Sequence, residues 1–138
     1  MAGSASDYLE AGIINSVLRG QNFPVPAKTY IALFTADPTD ANITANEVVG
    51  AWYARQDAAQ GGTISSGWTS PANGVSTNAK VITFPAVTGS QVTVSHFGIY
   101  DAISGGNLMF HGSLATPKTL LVDDVLSFSI GALQIGAA

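Results

Sequence analysis

Gln91-Val92-Thr93-Val94-Ser95-His96-Phe97-Gly98-Ile99-Tyr100 is the stretch that sets the fold. Apolar and polar residues alternate along it, the period of a strand with one face in a core. Val92 and Val94 share one face, but Phe97 and Ile99 fall on the other. A strand that changes phase in this way needs a bulge or a switch between sheets near Ser95–His96. The next segment, Asp101 to Asn107, contains Ser104-Gly105-Gly106 and reads as a hairpin loop. Leu108–Leu114 then puts Leu108, Phe110 and Leu114 on one face, so the two runs form an antiparallel pair.

The same period extends on both sides of this hairpin. Thr29–Phe34 is nearly continuous in apolar character, which predicts a strand buried on both faces. Asp37-Pro38 and Asp40 mark a turn, and Asn42 to Val49 is ambiguous. Trp52–Ala58 alternates, with Tyr53 and Arg55 on one face. Gly61 to Thr77 reads as a long loop or a weak edge strand. Lys80–Phe84 is a short strand stopped by Pro85. Thr119–Val122 precedes a turn at Asp123-Asp124. Val125–Ile130 places Leu126, Phe128 and Ile130 inward, and Leu133–Ile135 closes the chain.

One helix is signalled, at Asp7 to Arg19. Asp7 with Glu10 fits a capping pattern, and Ser4 and Ser6 are alternative caps. Leu9, Ile13, Ile14, Val17 and Leu18 form one apolar stripe. Gly20 stands where a left-handed residue ends a helix, and Arg19 suits the negative end of the dipole. Pro24 and Pro26 then force an extended connector.

About eight short strands after one helix predict an all-β protein: an antiparallel β-sandwich of jelly-roll or similar Greek-key type. An immunoglobulin-like sandwich would want a Cys-Trp-Cys spacing that is missing. The 138 residues and 14.1 kDa suit one domain. Residues 1–26 supply an arm, the helix and the connector, and residues 27–138 the sandwich.

Composition narrows the function. There are 5 Lys+Arg against 9 Asp+Glu, and charged residues are only 10% of the chain, against roughly 25% in an average domain. Five cations cannot neutralise a run of phosphates, so no nucleic-acid partner is expected. Zero Cys removes disulfides, thiolate nucleophiles and zinc–cysteine sites. Asp123 and Asp124 interrupt the longest apolar stretch, Leu120 to Ile135, so no membrane partner is expected. Met1 to Glu10 lacks the basic and apolar blocks of a secretory signal. So sparse an ionic coat predicts that neighbours, either copies of the chain or another protein, cover much of the surface.

Catalytic and metal chemistry find little support. His96 and His111, with Asp101, would make a metal site only if the hairpin register paired them. Asp123-Asp124 lacks the surrounding oxygen-ligand loop of a calcium site. No nucleophile elbow or phosphate-binding glycine motif is present. The chain is therefore expected to be no enzyme and to need no cofactor. Asn42-Ile43-Thr44 matches a glycosylation sequon. Trp52, Tyr53 and Trp68 could form a sugar-stacking platform, close a core edge or make an oligomer contact. The residues expected to touch a partner are Met1, Ala2, Gly3 and Ser4 in a small, flexible arm spanning Met1–Ser6, together with Trp52, Tyr53, Arg55 and Trp68. The Gly61–Thr77 loop is a further candidate contact.

Several motifs carry a resemblance. They include the opening Met1-Ala2-Gly3-Ser4-Ala5-Ser6-Asp7-Tyr8-Leu9-Glu10, then Tyr30-Ile31-Ala32-Leu33-Phe34-Thr35-Ala36-Asp37-Pro38, and Tyr53-Ala54-Arg55-Gln56. Later come Phe84-Pro85-Ala86, His96-Phe97-Gly98-Ile99-Tyr100-Asp101-Ala102, Ser104-Gly105-Gly106-Asn107-Leu108, Thr116-Pro117-Lys118-Thr119 and Leu126-Ser127-Phe128. The chain resembles, over nearly its whole length, a family of small tailed-bacteriophage virion proteins labelled tail-fibre-like. It is also similar to the jelly-roll cement, or decoration, proteins of phage capsids. The resemblance implies a homo-oligomer, dimer or trimer, that binds the major capsid protein and ties neighbouring capsomers together. It would be made in the bacterial host cytoplasm and end on the outer capsid surface of the virion. A tail fibre or baseplate component with a receptor- or glycan-binding role is the alternative.

Overall fold

A computed structural model describes residues 2–137. It is an all-β fold with one helix. The elements, in chain order, are β1 (Ala2–Ala5), α1 (Asp7–Arg19), β2 (Tyr30–Phe34), β3 (Gln56–Asp57), β4 (Val75–Thr77), β5 (Ile82–Thr83), β6 (Val92–Tyr100), β7 (Leu108–Leu120), β8 (Ser127–Phe128) and β9 (Gln134–Gly136), with short 3-10 turns at Thr44–Asn46 and Ile64–Gly67. Seven strands form a curled sheet in the order β3-β2-β6-β7-β1-β9-β4, and β5 pairs with β8 in a small second sheet. This is a sandwich-like, jelly-roll-like arrangement. One pair departs from the antiparallel pattern: β1 and β9 run parallel.

The β6–β7 hairpin is the frame. Its register shifts between Val94 and His96, where the phase change predicted it. Val94 pairs Lys118 while His96 pairs Ser113, so the surplus residues lie on β7, Leu114 to Pro117. Pro117 has no N–H to give to a ladder, which explains why the irregularity falls there. Val94, Phe97 and Ile99 all lie in the main core.

That core fills the space between the two sheets. Ile31 and Leu33 from β2 meet Ile82 and Phe84 at β5, and Leu126, Phe128 and Leu133 near β8. β2 is buried on both faces, as its composition requires. Its other face, with Ala32 and Phe34, joins Tyr100 and Leu108 in a second cluster. A third cluster, Ala5, Leu9 and Met109, lies under α1. Asn78 ties the loops at one end. Its side-chain nitrogen donates to Lys80 O and Ser129 O at 2.9 Å each, and its oxygen accepts from Leu133 N at 2.9 Å. A fully buried amide thus meets its hydrogen-bonding needs.

Three expectations need correction. The N-terminal segment is not a free arm, because Ala2–Ala5 is a strand between β7 and β9. The 108–114 and 119–122 runs are largely one 13-residue strand, β7. Ile130 points outward and is exposed, while Leu126 and Phe128 face the core as expected.

Candidate interaction surface

α1 begins where its capping chemistry places it. Ser6 is fully buried, and its hydroxyl accepts from Leu9 N at 3.2 Å while donating to Leu108 O. Ser6 N donates to Met109 O at 2.9 Å, which pins the helix start to β7. Of the three capping candidates the sequence offered, Ser6 is the one used. Gly20 ends the helix in the left-handed conformation, φ 67°. Phe23 then folds back against Tyr8, with ring centroids 5.8 Å apart. It lies over Gly12 so closely that a Cβ there would sit 2.3 Å from the ring.

The consequence is an unusual orientation. α1 meets the body through Leu9, Tyr8, Gly12 and Phe23, and Leu9 is its one buried apolar residue. The rest of the stripe faces water: Ile14 is 55% exposed, Val17 75% and Leu18 77%, with Ile13 beside them. An aliphatic ridge on the last two turns of a helix is costly to leave hydrated, since fully burying one such side chain is worth about 1.5–3 kcal/mol. Leu121, Val122 and Val125 around the Asp123-Asp124 turn, and Ile130 beyond β8, are exposed as well.

The residues expected at a contact take different places. Met1 lies outside the described residues. Ala2 pairs Gln134, Gly3 pairs Ile135 and Ser4 pairs His111, so these residues are sheet members. Trp52 is 8% exposed and meets Tyr53 edge-on. Tyr53 stacks on Phe84 at 6.2 Å. Trp68 stands apart from that pair in its bonding, donating to Thr29 Oγ1 at 2.9 Å.

Arg55, 5% exposed, is the hub of an internal network. Its Nε and Nη2 hold the two Glu47 carboxylate oxygens at 2.8 and 2.9 Å. Its Nη1 donates to Ala102 O at 2.9 Å and Gly105 O at 2.8 Å, in the β6–β7 loop. Its carbon lies 3.6 Å from the centre of the Tyr100 ring, a cation–π contact. Tyr53 completes the knot, donating to Glu47 and accepting from Leu33 N at 3.1 Å. Burial opposes the Arg55 charge, but Glu47 outweighs it and holds the guanidinium above its ordinary value.

Burial pushes the Tyr53 hydroxyl well above its ordinary range, with the Glu47 hydrogen bond adding to it. Burial likewise pushes Tyr100 up to about 12, against the lowering effect of Arg55. A raised folded value means that the stabilisation is complete below the unfolded value of 10.0 and is lost as pH climbs through the folded one. The urea midpoint will therefore fall steadily from pH 10 toward about 12. Tyr53→Phe/Tyr100→Phe, compared with its own stability at neutral pH, will lose less over that interval. An equal slope in both proteins would refute the assignment.

The histidines do not converge with Asp101. His111 Nε2 lies 2.6 Å from Asp40 Oδ1, His96 Nδ1 lies 2.8 Å from Ser95 Oγ, and Asp101 accepts from Asn107 N at 2.7 Å. Among the described residues, the one carboxylate group close enough to share an ion is Asp7, Glu10 and Asp40, all exposed. The sequon asparagine is engaged too, since Asn42 accepts from Tyr100 Oη. Among the described residues, no helix is long and apolar enough to cross a membrane.

Fold and surface together are those of a small β-rich protein whose one helix turns most of its aliphatic stripe outward. A family model described as Podophage GP4 fiber I protein gp80 matches residues 4–136, and the chain belongs to that family of phage virion proteins with a fibre label. Comparison with the curated proteins finds no match.

Proposed function

We propose that this chain is a non-enzymatic structural joint of the phage particle, holding neighbouring virion subunits together through non-covalent contacts. The observation that carries this reading is the outward ridge of α1, Ile13, Ile14, Val17 and Leu18. A joint needs more than one contact surface, and the exposed Leu121, Val122 and Val125 around the Asp123-Asp124 turn supply a second. Two modest contacts on one rigid body reinforce each other through effective concentration, often by about 10²–10⁴. The scarcity of charge lowers the desolvation cost at both.

The family description favours a place in a fibre. The resemblance to cement proteins supports a second placing, on the outer capsid against the major capsid protein, as a dimer or trimer. Electron microscopy separates the two: hundreds of copies over the shell indicate cement, and a few at the tail indicate a fibre. In either place, Val17→Asp/Leu18→Asp will reduce the copies carried per particle at least tenfold. The melting temperature of the purified chain will stay near that of the parent, because both side chains are already in water. Normal loading of the variant would overturn the reading.

A further inference from the structure

Asn73 is the one asparagine of the chain that is followed by glycine. The pair forms the tip of the hairpin that folds β4, an edge strand of the curled sheet, back on Thr69. Ala72 N donates to Val75 O at 2.9 Å and Val75 N to Ala72 O at 3.0 Å, so Asn73 and Gly74 are the whole loop. Both have left-handed backbone, φ 52° at Asn73 and 77° at Gly74, which makes the turn type I′. Both are exposed. The hairpin's side-chain bonds run from Thr69 to Ser76 and Thr77 and leave the Asn73 amide out. A Cβ on Gly74 would meet nothing within 4 Å, so the tip stands clear of the body.

This dipeptide has one characteristic reaction. The glycine backbone nitrogen loses its proton to solvent and attacks the asparagine Cγ. An N–Cγ bond forms, the Cγ–Nδ2 bond breaks, and the amide nitrogen takes up a proton and leaves as ammonia. Water then opens the cyclic imide at either carbonyl, giving aspartate or the β-linked isoaspartate. The attack requires Cβ and the glycine nitrogen on the same side of the Cα–C bond. A type I′ turn sets ψ of its first residue to about 30°, which turns Cβ of an L-residue nearly opposite that nitrogen. The closed turn therefore keeps the reacting atoms apart.

We propose that Asn73 is a latent deamidation site, gated by opening of the β4 hairpin. An exposed hairpin at a sheet edge belongs to the parts of a fold that open most readily. The product does not close again in the same form. Isoaspartate adds a methylene to the main chain, so the two-residue loop that pairs Ala72 with Val75 is lost. The new carboxylate adds one negative charge to a chain of net charge -4. It stands at the rim of an apolar groove of about 380 Å³, to which Trp68, Pro71, Gly74 and Ser76 contribute. A transient opening of the edge is thus made permanent.

Ageing the intact chain in mildly alkaline buffer, with peptide mapping by mass spectrometry at intervals, tests this. A gain of one mass unit is expected at Asn73, as isoaspartate and aspartate together, at least tenfold slower than in a free peptide of residues 70–76. Thr69→Val removes the acceptor of Thr77 N and is expected to speed the reaction severalfold while the melting temperature stays near the parent's. If that variant does not fold, urea below the unfolding transition takes its place and is expected to act in the same direction. Asn73→Gly preserves the turn type and is expected to abolish the mass gain there. Reaction in the folded chain as fast as in the peptide, or a rate unmoved by loosening the hairpin, would refute the gate. Reaction at Asn73 no faster than at Asn15 or Asn107 in the fully unfolded chain would refute the site.

Discussion

Removal of residues 2–6 will leave a chain that no longer unfolds cooperatively. β1 is the one strand that joins the two halves of the curled sheet, antiparallel to β7 through Ser4 and Ala5 and parallel to β9 through Ala2 and Gly3. Without it, β9 and β4 keep only each other as strand partners, and a two-stranded pair adds little stability of its own in water. The same deletion removes Ser6, and with it the α1 cap and both ties from the helix to β7. Each lost hydrogen bond contributes about 1 kcal/mol and the cap about another. Together with Ala5 from the third cluster, the loss is about 5 kcal/mol or more, comparable to the whole stability of a small domain. A milder variant tests the same slot. Gly3→Val would set a Cβ 2.8 Å from Ile135 Cδ1 and 3.3 Å from Phe97 Cζ, both in the main core. It is expected to lower stability by about 1–3 kcal/mol, as overpacking does. Urea unfolding followed by tryptophan fluorescence checks both. A truncated chain with the parent's midpoint would show that β1 is dispensable.

How much of this was legible in the sequence depends on the range of the interaction. β2, β6, the hairpin loop and the ends of α1 are written in local signals: alternation, glycine and proline punctuation, and caps. The bulge opposite Ser95 was readable from the phase of Val94 against Phe97. β1 was not. Ala2-Gly3-Ser4-Ala5 has no strand propensity, and its smallness, which suggested a loose arm, is what lets it slip between β7 and β9. The stripe on α1 was read correctly as a pattern, but a pattern does not say which side the body takes. Here Gly12 and Phe23 decide it, and most of the stripe is left outside. Trp52 and Arg55 looked like surface residues for the opposite reason. The partners that enclose Arg55, Glu47 and the carbonyls of Ala102 and Gly105, come from two separate segments, and no local spacing announces them.

Arg55→Met will cost about 3–5 kcal/mol, the largest effect expected of a single substitution away from the hydrophobic core. The arginine satisfies four acceptors at once: two Glu47 oxygens and two loop carbonyls. Methionine replaces the stem but none of these bonds. It leaves Glu47, whose side chain is 16% exposed, with only Tyr53 as a side-chain donor. The β6–β7 loop also loses its tie to the segment around Glu47, so amide exchange at Ile103 to Gly106 should accelerate. Glu47→Gln alone will cost less, because the amide oxygen still accepts one guanidinium bond. A double-mutant cycle separates pairing from packing: Arg55→Met/Glu47→Leu is expected to be more stable than Arg55→Met alone, since no charge is then left without its partner. If the double variant were the less stable by the full sum of the two single costs, the pair would be acting as independent residues and not as one buried unit. The distinction bears on assembly. A knot that holds the hairpin loop and the Glu47 segment rigid fixes the body from which the α1 ridge is presented, so Arg55→Met should weaken particle loading only in proportion to the folded fraction. Ridge variants, in contrast, should weaken it with the fold intact.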